Sequence, residues 1–422
     1  MNYTIDLTGN KKSSDGSILG KVNDFSIEMS LHESNQLNVY RKNPLLTPCD
    51  RVVQYYDRHT RTNQNLLMFG SNSYLGATNL HNIKEAAVNA CWEMGIGTGG
   101  VPLLTGTTIL QEKLEKKIAE FTGFDDTILF SSGYTANLGV LTGLLRPDNL
   151  IIHDKLNHAS LIDGTLLSGA KMLRYKHNDI SELSKILKNN CDNFKGKILI
   201  VTDGVFSMDG DIAKIPEILD VTRKYDALLL IDDAHATGVI GNKGKGTLSH
   251  FKIEDKKNII VSGTLSKAIG TLGGYITADQ SIIDYLRIYA RSNMFSTSLP
   301  PSICAAAMEV FDTISNTEIV EKLNDNSAYA RNRLREEGFN ILNTETAIIP
   351  LIVGNQTLLT KMTKDFIDDG ILINPIFPPA VPANLVRFRI SIMTSHTRSD
   401  IDCLINTIIN IFNKYGLERH IS

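Results

Sequence analysis

Lys267 lies in SGTLSKAIGTLGG, residues 262–274, among small and hydroxyl-bearing neighbours and directly after the apolar run NIIV, residues 258–261. A surface lysine needs no such setting. A lysine amine becomes a nucleophile or an imine partner when its surroundings disfavour the ammonium form. Four more apolar runs end in groups that could do chemistry. TILF (127–130) leads into SSGY with Gly133 and Tyr134, and NLIIHD (149–154) leads into LNHAS with His158. KILIV (197–201) leads into TDGVFSMDGD with Asp203 and Ser207, and ALLLI (227–231) leads into DDAH with Asp232 and His235. NIIV itself continues through Thr264 to Lys267.

Taken singly, Asp232 has the look of a helix N-cap, the two histidines that of core side chains with satisfied nitrogens, and SSGY that of a turn. Jointly they gather at one place, because in an open parallel sheet the carboxyl ends of the strands converge on the ligand crevice. Pyridoxal phosphate requires a lysine for imine formation, a carboxylate to keep its ring nitrogen protonated, and a phosphate cradle of backbone N–H and hydroxyl donors. All three occur here in workable order.

The elements that must position these residues follow from composition and rhythm. The chain has 422 residues, 42% hydrophobic and 21% charged, enough apolar material for a sizeable core and more than one domain. A net charge of −3 gives no broad basic footprint for nucleic acid or an anionic membrane. The five cysteines, Cys49, Cys91, Cys191, Cys304 and Cys403, never take CxxC spacing, so neither a disulfide framework nor a metal site is expected. There is no apolar leader at the N-terminus and no run near the roughly 20 apolar residues of a membrane span, so the expected compartment is the cytoplasm.

Runs apolar at every position predict strands covered on both faces, hence a mostly parallel sheet in an α/β domain. Helices are expected between them. ILQEKLEKKIAEF puts Ile109, Leu110, Leu114, Ile118 and Phe121 on one stripe, and DISELSKILKNN opens with Asp179 as N-cap. Residues 1–60 read as a polar, flexible lead-in followed by a weakly helical arm, 61–299 as the large α/β domain, and 300–422 as a smaller α+β domain. In the last, TAIIPLIVG and LVRFRISI are expected strands and SDIDCLINTIINIFNKYG a closing helix.

The series FGSNSYLG, LNHASLIDG, TDGVFSMDGD, DDAHATGVIG, SGTLSKAIGTLGGY and FSTSLPP resembles, in order and over nearly the whole chain, the motifs of the α-oxoamine synthases. These are fold-type I, pyridoxal-phosphate-dependent enzymes resembling aspartate aminotransferase in fold. The resemblance implies that Lys267 is the Schiff-base lysine, Asp232 the carboxylate on the ring nitrogen and His158 the histidine stacked on the ring. It implies that His235 and Ser207 meet the cofactor's phenolic oxygen and that Gly133, Tyr134 and Thr264 bind its phosphate. Ser296 and Thr297 match a stretch supplied by a neighbouring subunit, which implies a homodimer. Arg389, with Asn72 of GSNSYLG, matches the group that grips the amino-acid carboxylate. The implied reaction is decarboxylative condensation of serine, alanine or glycine with an acyl thioester, carried by CoA or by an acyl-carrier protein.

Within the family, LLMFGSNSYLG and NPIFPPAVP followed by RFRISIMTSHT are most similar to the bacterial serine palmitoyltransferases. The 8-amino-7-oxononanoate synthases, the 2-amino-3-ketobutyrate CoA ligases and acyl-carrier-protein-dependent relatives share much of that pattern. The chain departs from the family at GTGGVPLLTGTTILQ, where Val101, Pro102 and Gln111 replace charged or polar positions. That departure reads either as a relaxed structural salt bridge or as altered contacts to a different acyl donor. Rival readings are an aminotransferase or aldolase on the same fold, and a non-catalytic partner subunit, against which stand the retained Lys267, Asp232, His158 and Arg389. A dinucleotide dehydrogenase would need a strand followed by G-x-G-x-x-G opening a helix, with an acidic residue at the right later distance, and the chain lacks that arrangement.

Overall fold

The computed structural model describes residues 13–34, 43–58 and 60–419. The start of the expected flexible lead-in, residues 1–12, and residues 35–42 of the expected arm lie outside the described residues. The chain forms two compact units: residues 73–207 with 211–324, and residues 1–72 with 208–210 and 325–422.

In the larger unit a seven-stranded sheet runs in the order Asp126–Phe130, Gly274–Ala278, Ile259–Thr264, Leu228–Asp232, Ile198–Asp203, Leu150–Asp154, Lys171–Tyr175. The last five of these are mutually parallel, and Gly274–Ala278 is antiparallel to both its neighbours. The exception has a simple cause. Residues 265–273 are too few for a crossover helix, so the chain turns straight back beside Ile259–Thr264. Lys267 lies in that turn and is thereby held at the carboxyl end of the sheet.

The all-apolar runs bury side chains to both sides, as a period of two requires. Ile152, Ile200, Leu229 and Ile259 join one core cluster, while Ile151, Leu199, Leu230 and Ile260 join another. The strands Lys171–Tyr175 and Gly274–Ala278 are additions to the five the sequence announces. The first is an edge strand carrying partly exposed Lys171 and Arg174, and the second holds two glycyl or alanyl ends, so neither shows a continuous apolar run.

The helix Ile109–Thr122 forms with Thr108 as its N-cap, but Ile109 is 54% exposed and does not share the buried stripe of Leu114, Ile118 and Phe121. The helix Ile180–Asn190 starts at Asp179 as expected, its carboxylate accepting from Glu182 N at 2.9 Å. The helix Pro301–Asn316 lies in the larger unit, where Phe311 packs on Phe121 with ring centroids 4.9 Å apart. The boundary expected at residue 300 falls within the larger unit, whose second stretch runs from residue 211 to 324.

The smaller unit contains two three-stranded sheets. One pairs Val52–Asp57 with Thr62–Met68 and the short Ile371–Leu372; the other orders Ile348–Ile352, Arg387–Ser391 and Asn374–Ile376. Strand Val52–Asp57 corrects the weakly helical reading of its stretch: its alternation of exposed Val52 with buried Val53 and Tyr55 is a period of two. The N-terminal part of that stretch is a helix, Ile18–Ser34. The closing helix, Arg398–Lys414, is capped reciprocally by Thr397 and Asp400.

Candidate active site

Three parallel strands of the larger unit end in aspartate: Leu150–Asp154, Ile198–Asp203 and Leu228–Asp232. Register places Asp203 beside Asp232, and Asp232 beside Ser262 of the next strand. Beyond these ends lies a cavity of about 220 Å³ whose lining includes Lys267, His235, Asp232, His158, Gly133 and Thr264. Tyr134, also lining it, begins the same helix as Gly133.

Lys267 Nζ is 2.7 Å from Nε2 of His235, and Nδ1 of that ring is 2.8 Å from the hydroxyl of Tyr74. Asp232 is 5% exposed. Its Oδ2 accepts from Asn137 Nδ2 at 2.7 Å and its Oδ1 from the Ala234 N–H at 3.0 Å. Asn137 also donates to Ser160 Oγ at 2.8 Å, and Ser160 lies 2.7 Å from His158 Nδ1. His158 is the N-cap of the helix Ala159–Ser168. Burial pulls its pKa below the ordinary histidine value, against the attraction of Asp232, so its ring is neutral. Asp203 is 3% exposed, and burial first, then the neighbouring Asp232, push its carboxyl well above its ordinary value; it accepts the His158 backbone N–H at 3.2 Å.

At the other side of the cavity the helix Gly133–Leu144 begins, capped by Ser132 and Thr135. The backbones pack closely there. A Cβ on Gly133 would stand 3.0 Å from Thr264 Cβ, and one on Gly274 would stand 2.4 Å from the Ser132 carbonyl carbon. The free N–H groups of a helix start, with the Thr264 and Ser266 hydroxyls 2.9 Å apart, make an anion cradle. A lysine amine, a buried hydrogen-bonded carboxylate, a neutral imidazole and an anion cradle share one cavity, and this donor set fits pyridoxal phosphate.

Ser207 does not line that cavity; Val205, two residues earlier, does. Ser296 and Thr297 lie on the segment after the helix Arg291–Met294 and do not line it either. In the smaller unit, Arg389 is 5% exposed and donates from its guanidinium to Asn72 Oδ1 at 2.8 Å. His396 is a core side chain: Met393 N–H donates to Nδ1 at 3.0 Å, Nε2 meets Met68 O at 3.0 Å, and burial pulls its pKa down to about 4.

Asn137, Ser160 and Tyr74 escaped sequence reasoning. A signal existed for each: Asn137 stands one turn into a largely apolar helix, Tyr74 sits inside the FGSNSYLG motif and Ser160 inside LNHASLIDG. At the departure from the family pattern, Val101 precedes a single wide π-helical turn over Pro102–Gly106, and Gln111 is 2% exposed on the helix Ile109–Thr122. A larger hollow of about 820 Å³ in the same unit includes Lys256, whose Nζ is already committed to the carbonyls of Thr122 and Gly123, each at 2.7 Å.

No described helix is long and apolar enough to cross a membrane. The sequence profile of the family described as aminotransferase class I and II matches residues 64–408. The chain is 38% identical to an 8-amino-7-oxononanoate synthase of Thermoanaerobacter pseudethanolicus over 396 residues, which is 94% of this chain and 98% of that one. It is 41% identical to a serine palmitoyltransferase of Sphingobacterium spiritivorum over 355 residues, 84% of this chain and 88% of that one. A solved structure of SPT with its PLP internal aldimine superposes with a TM-score of 0.87 at 28% identity, covering 95% of this chain and 100% of the other. The chain belongs to the aminotransferase class I and II family and, within it, to the α-oxoamine synthases, fold-type I acyltransferases that depend on pyridoxal phosphate.

Proposed function

We propose that this acyltransferase condenses serine with a long-chain acyl thioester, acyl-CoA in the first instance, releasing thiol and carbon dioxide and giving an α-amino ketone. The observation that carries the reading is the contact of Lys267 with His235 in the same cavity as the Asn137-bound Asp232. Similarity at 41% to a serine palmitoyltransferase and a TM-score of 0.87 to SPT favour serine and a long acyl chain. A second reading, 8-amino-7-oxononanoate synthesis, is favoured by the 38% identity that extends over 94% of the chain.

Bound in this cavity, pyridoxal phosphate supplies an electron sink next to the α-carbon of the amino acid. Lys267 holds the cofactor and then moves the proton at that α-carbon, a task for an amine beside an imidazole that can share its proton. Asp232, fixed by Asn137, would offer the negative charge that keeps the ring nitrogen protonated. His158, at the cavity wall, would supply an apolar ring face to the cofactor, and His235 would serve its phenolic oxygen, with Ser207 reaching it only if the segment after Val205 moves inward on binding. The Gly133 and Tyr134 N–H groups, with Thr264, would hold the phosphate. Arg389, steadied by Asn72, binds the substrate carboxylate through parallel charge-assisted hydrogen bonds.

The same reading takes the protein as a cytoplasmic homodimer in which Ser296 and Thr297 of one copy serve the phosphate of the other. Large exposed apolar side chains on the larger unit, Trp92 at 86%, Ile96 at 85% and Leu104 at 78%, support burial against a second copy. The deciding experiment is a mass-spectrometric screen of serine, alanine and glycine against acyl-CoA and acyl-carrier thioesters of graded length. Product from serine with a long acyl-CoA is expected; product only from alanine with a shorter dicarboxylic acyl thioester would favour the second reading.

A further inference from the structure

His177 and Asn178 follow the edge strand Lys171–Tyr175 and enter none of the roles assigned above. The His177 ring stands between two carboxylates: Nδ1 is 3.1 Å from Asp154 Oδ1, and Nε2 is 2.8 Å from Asp211 Oδ2. The Asp154 side chain is 1% exposed, Asp211 17% and His177 25%. Asn178 adopts the left-handed conformation at φ 54° that asparagine tolerates. From there its N–H donates to Asp154 Oδ2 at 2.9 Å and its Nδ2 to Asp211 Oδ2 at 3.0 Å. The Phe206 ring stands nearly perpendicular to the imidazole, at 83°, with the centroids 4.3 Å apart.

The two carboxylates sit at the roots of two segments that shape the cavity. Asp154 ends its strand and accepts the Leu156 N–H at 2.9 Å, which starts the turn that delivers His158. Within that turn Asn157 accepts the Asp203 N–H at 3.1 Å and donates to Val201 O at 2.8 Å. Asp211 stands where the chain comes back on itself after Ser207: Phe206 N–H reaches Asp211 O at 3.1 Å, and Val205 pairs with Ile212. Val205 lines the cavity, as His158 does.

We propose that His177 is a positioning residue for the cofactor site: by bridging Asp154 and Asp211 as a cation, it fixes the turn that presents His158 and the hairpin that presents Val205. Two carboxylates so placed repel each other, and one of them has no access to water. A single imidazolium satisfies both with directed hydrogen bonds, whereas its removal leaves a buried charge uncompensated and the two segments free to part. The inference rests on the reading of the cavity as the pyridoxal phosphate site.

The test titrates the full-length apoprotein with pyridoxal phosphate, comparing wild type with His177→Gln and Asp211→Asn, and records the visible circular dichroism of the bound cofactor. Each variant is expected to raise the cofactor Kd about tenfold or more, the scale of losing a supporting hydrogen-bond partner at a ligand site, and to alter the dichroic band. In turnover the variants should lower kcat and leave the KM for the amino acid unchanged. Wild-type affinity and dichroism in both variants overturn the inference. Nitrogen-15 spectra of the wild-type apoprotein at pH 8 test it without any substitution: both His177 ring nitrogens should carry protons, and a neutral ring there contradicts it. Wild-type protein that fails to bind pyridoxal phosphate at all would instead refute the functional reading.

Discussion

Lys267 and His235 are in direct contact, Nζ to Nε2 at 2.7 Å, and Tyr74 holds the far nitrogen of the same imidazole at 2.8 Å. The arrangement gives the amine a partner that can take or return a proton without moving the backbone. Lys267→Ala is expected to lower kcat by at least the roughly 10²–10⁴-fold typical of a lost general base. The check is single-turnover release of carbon dioxide in the presence of amino acid and thioester; a rate near wild type would remove Lys267 from the reaction.

Asp232 is the carboxylate that two independent donors hold in place, and Asn137 is one of them. Asp232→Asn keeps the shape and loses the charge, so turnover should fall by about 10² or more while Tm changes little. Asn137→Ala should give a smaller loss, since the Ala234 N–H still orients the carboxylate. Equal activity of Asp232→Asn and wild type would count against a role at the ring nitrogen.

Arg389→Lys tests the carboxylate grip. A lysine preserves charge but not the parallel pair of hydrogen bonds, and it cannot reproduce the bond to Asn72 from the same planar group. The KM for the amino acid should rise about 10–100-fold, corresponding to roughly 1.5–3 kcal/mol for a charge-assisted hydrogen bond. The KM for the thioester should stay where it is.

Glu115 gives a pH signature. Burial pushes its carboxyl from 4.5 up to about 7, outweighing Arg287 at 3.0 Å. A folded pKa above the unfolded value means that the native state binds more protons between the two values. The stability this contributes is complete below about 4.5 and is lost as pH rises through about 7. Glu115→Gln lacks that dependence, so its stability deficit relative to wild type should shrink between pH 5 and pH 8, read by denaturant midpoints. A deficit that grows over the same range would contradict the sign.

The core makes a plainer prediction. Leu230 is fully buried in one of the two clusters that cover the sheet. Leu230→Ala should cost about 2–5 kcal/mol, the range for deleting a large core side chain, measured as a fall in the urea midpoint with an unchanged m-value.

The sequence carries the sheet and most of the cavity because both depend on one local rule: an apolar run that ends in a small or polar residue. Five of the seven strands obey it, and so do Asp232, His235, His158, Thr264 and Lys267. Lys171–Tyr175 does not, because Lys171 and Arg174 are exposed and interrupt any apolar run, and Gly274–Ala278 does not, because glycine there is demanded by the nearby Ser132–Gly133 peptide. The roles of Asn137, Tyr74 and His177 were harder to read for another reason, although the first two carry a local signal. Their partners lie 95, 161 and 34 residues away in the chain, and only the folded sheet brings them together. Strand Val52–Asp57 hid behind the aromatic pair Tyr55–Tyr56, which fits a weak helical pattern as well as a strand.

The most direct test of the whole account is to load the purified protein with pyridoxal phosphate, reduce it with borohydride and map the modified peptide by mass spectrometry. The account predicts one phosphopyridoxyl group per chain, on Lys267. A label on a different lysine, or no label in protein that remains folded, would contradict it.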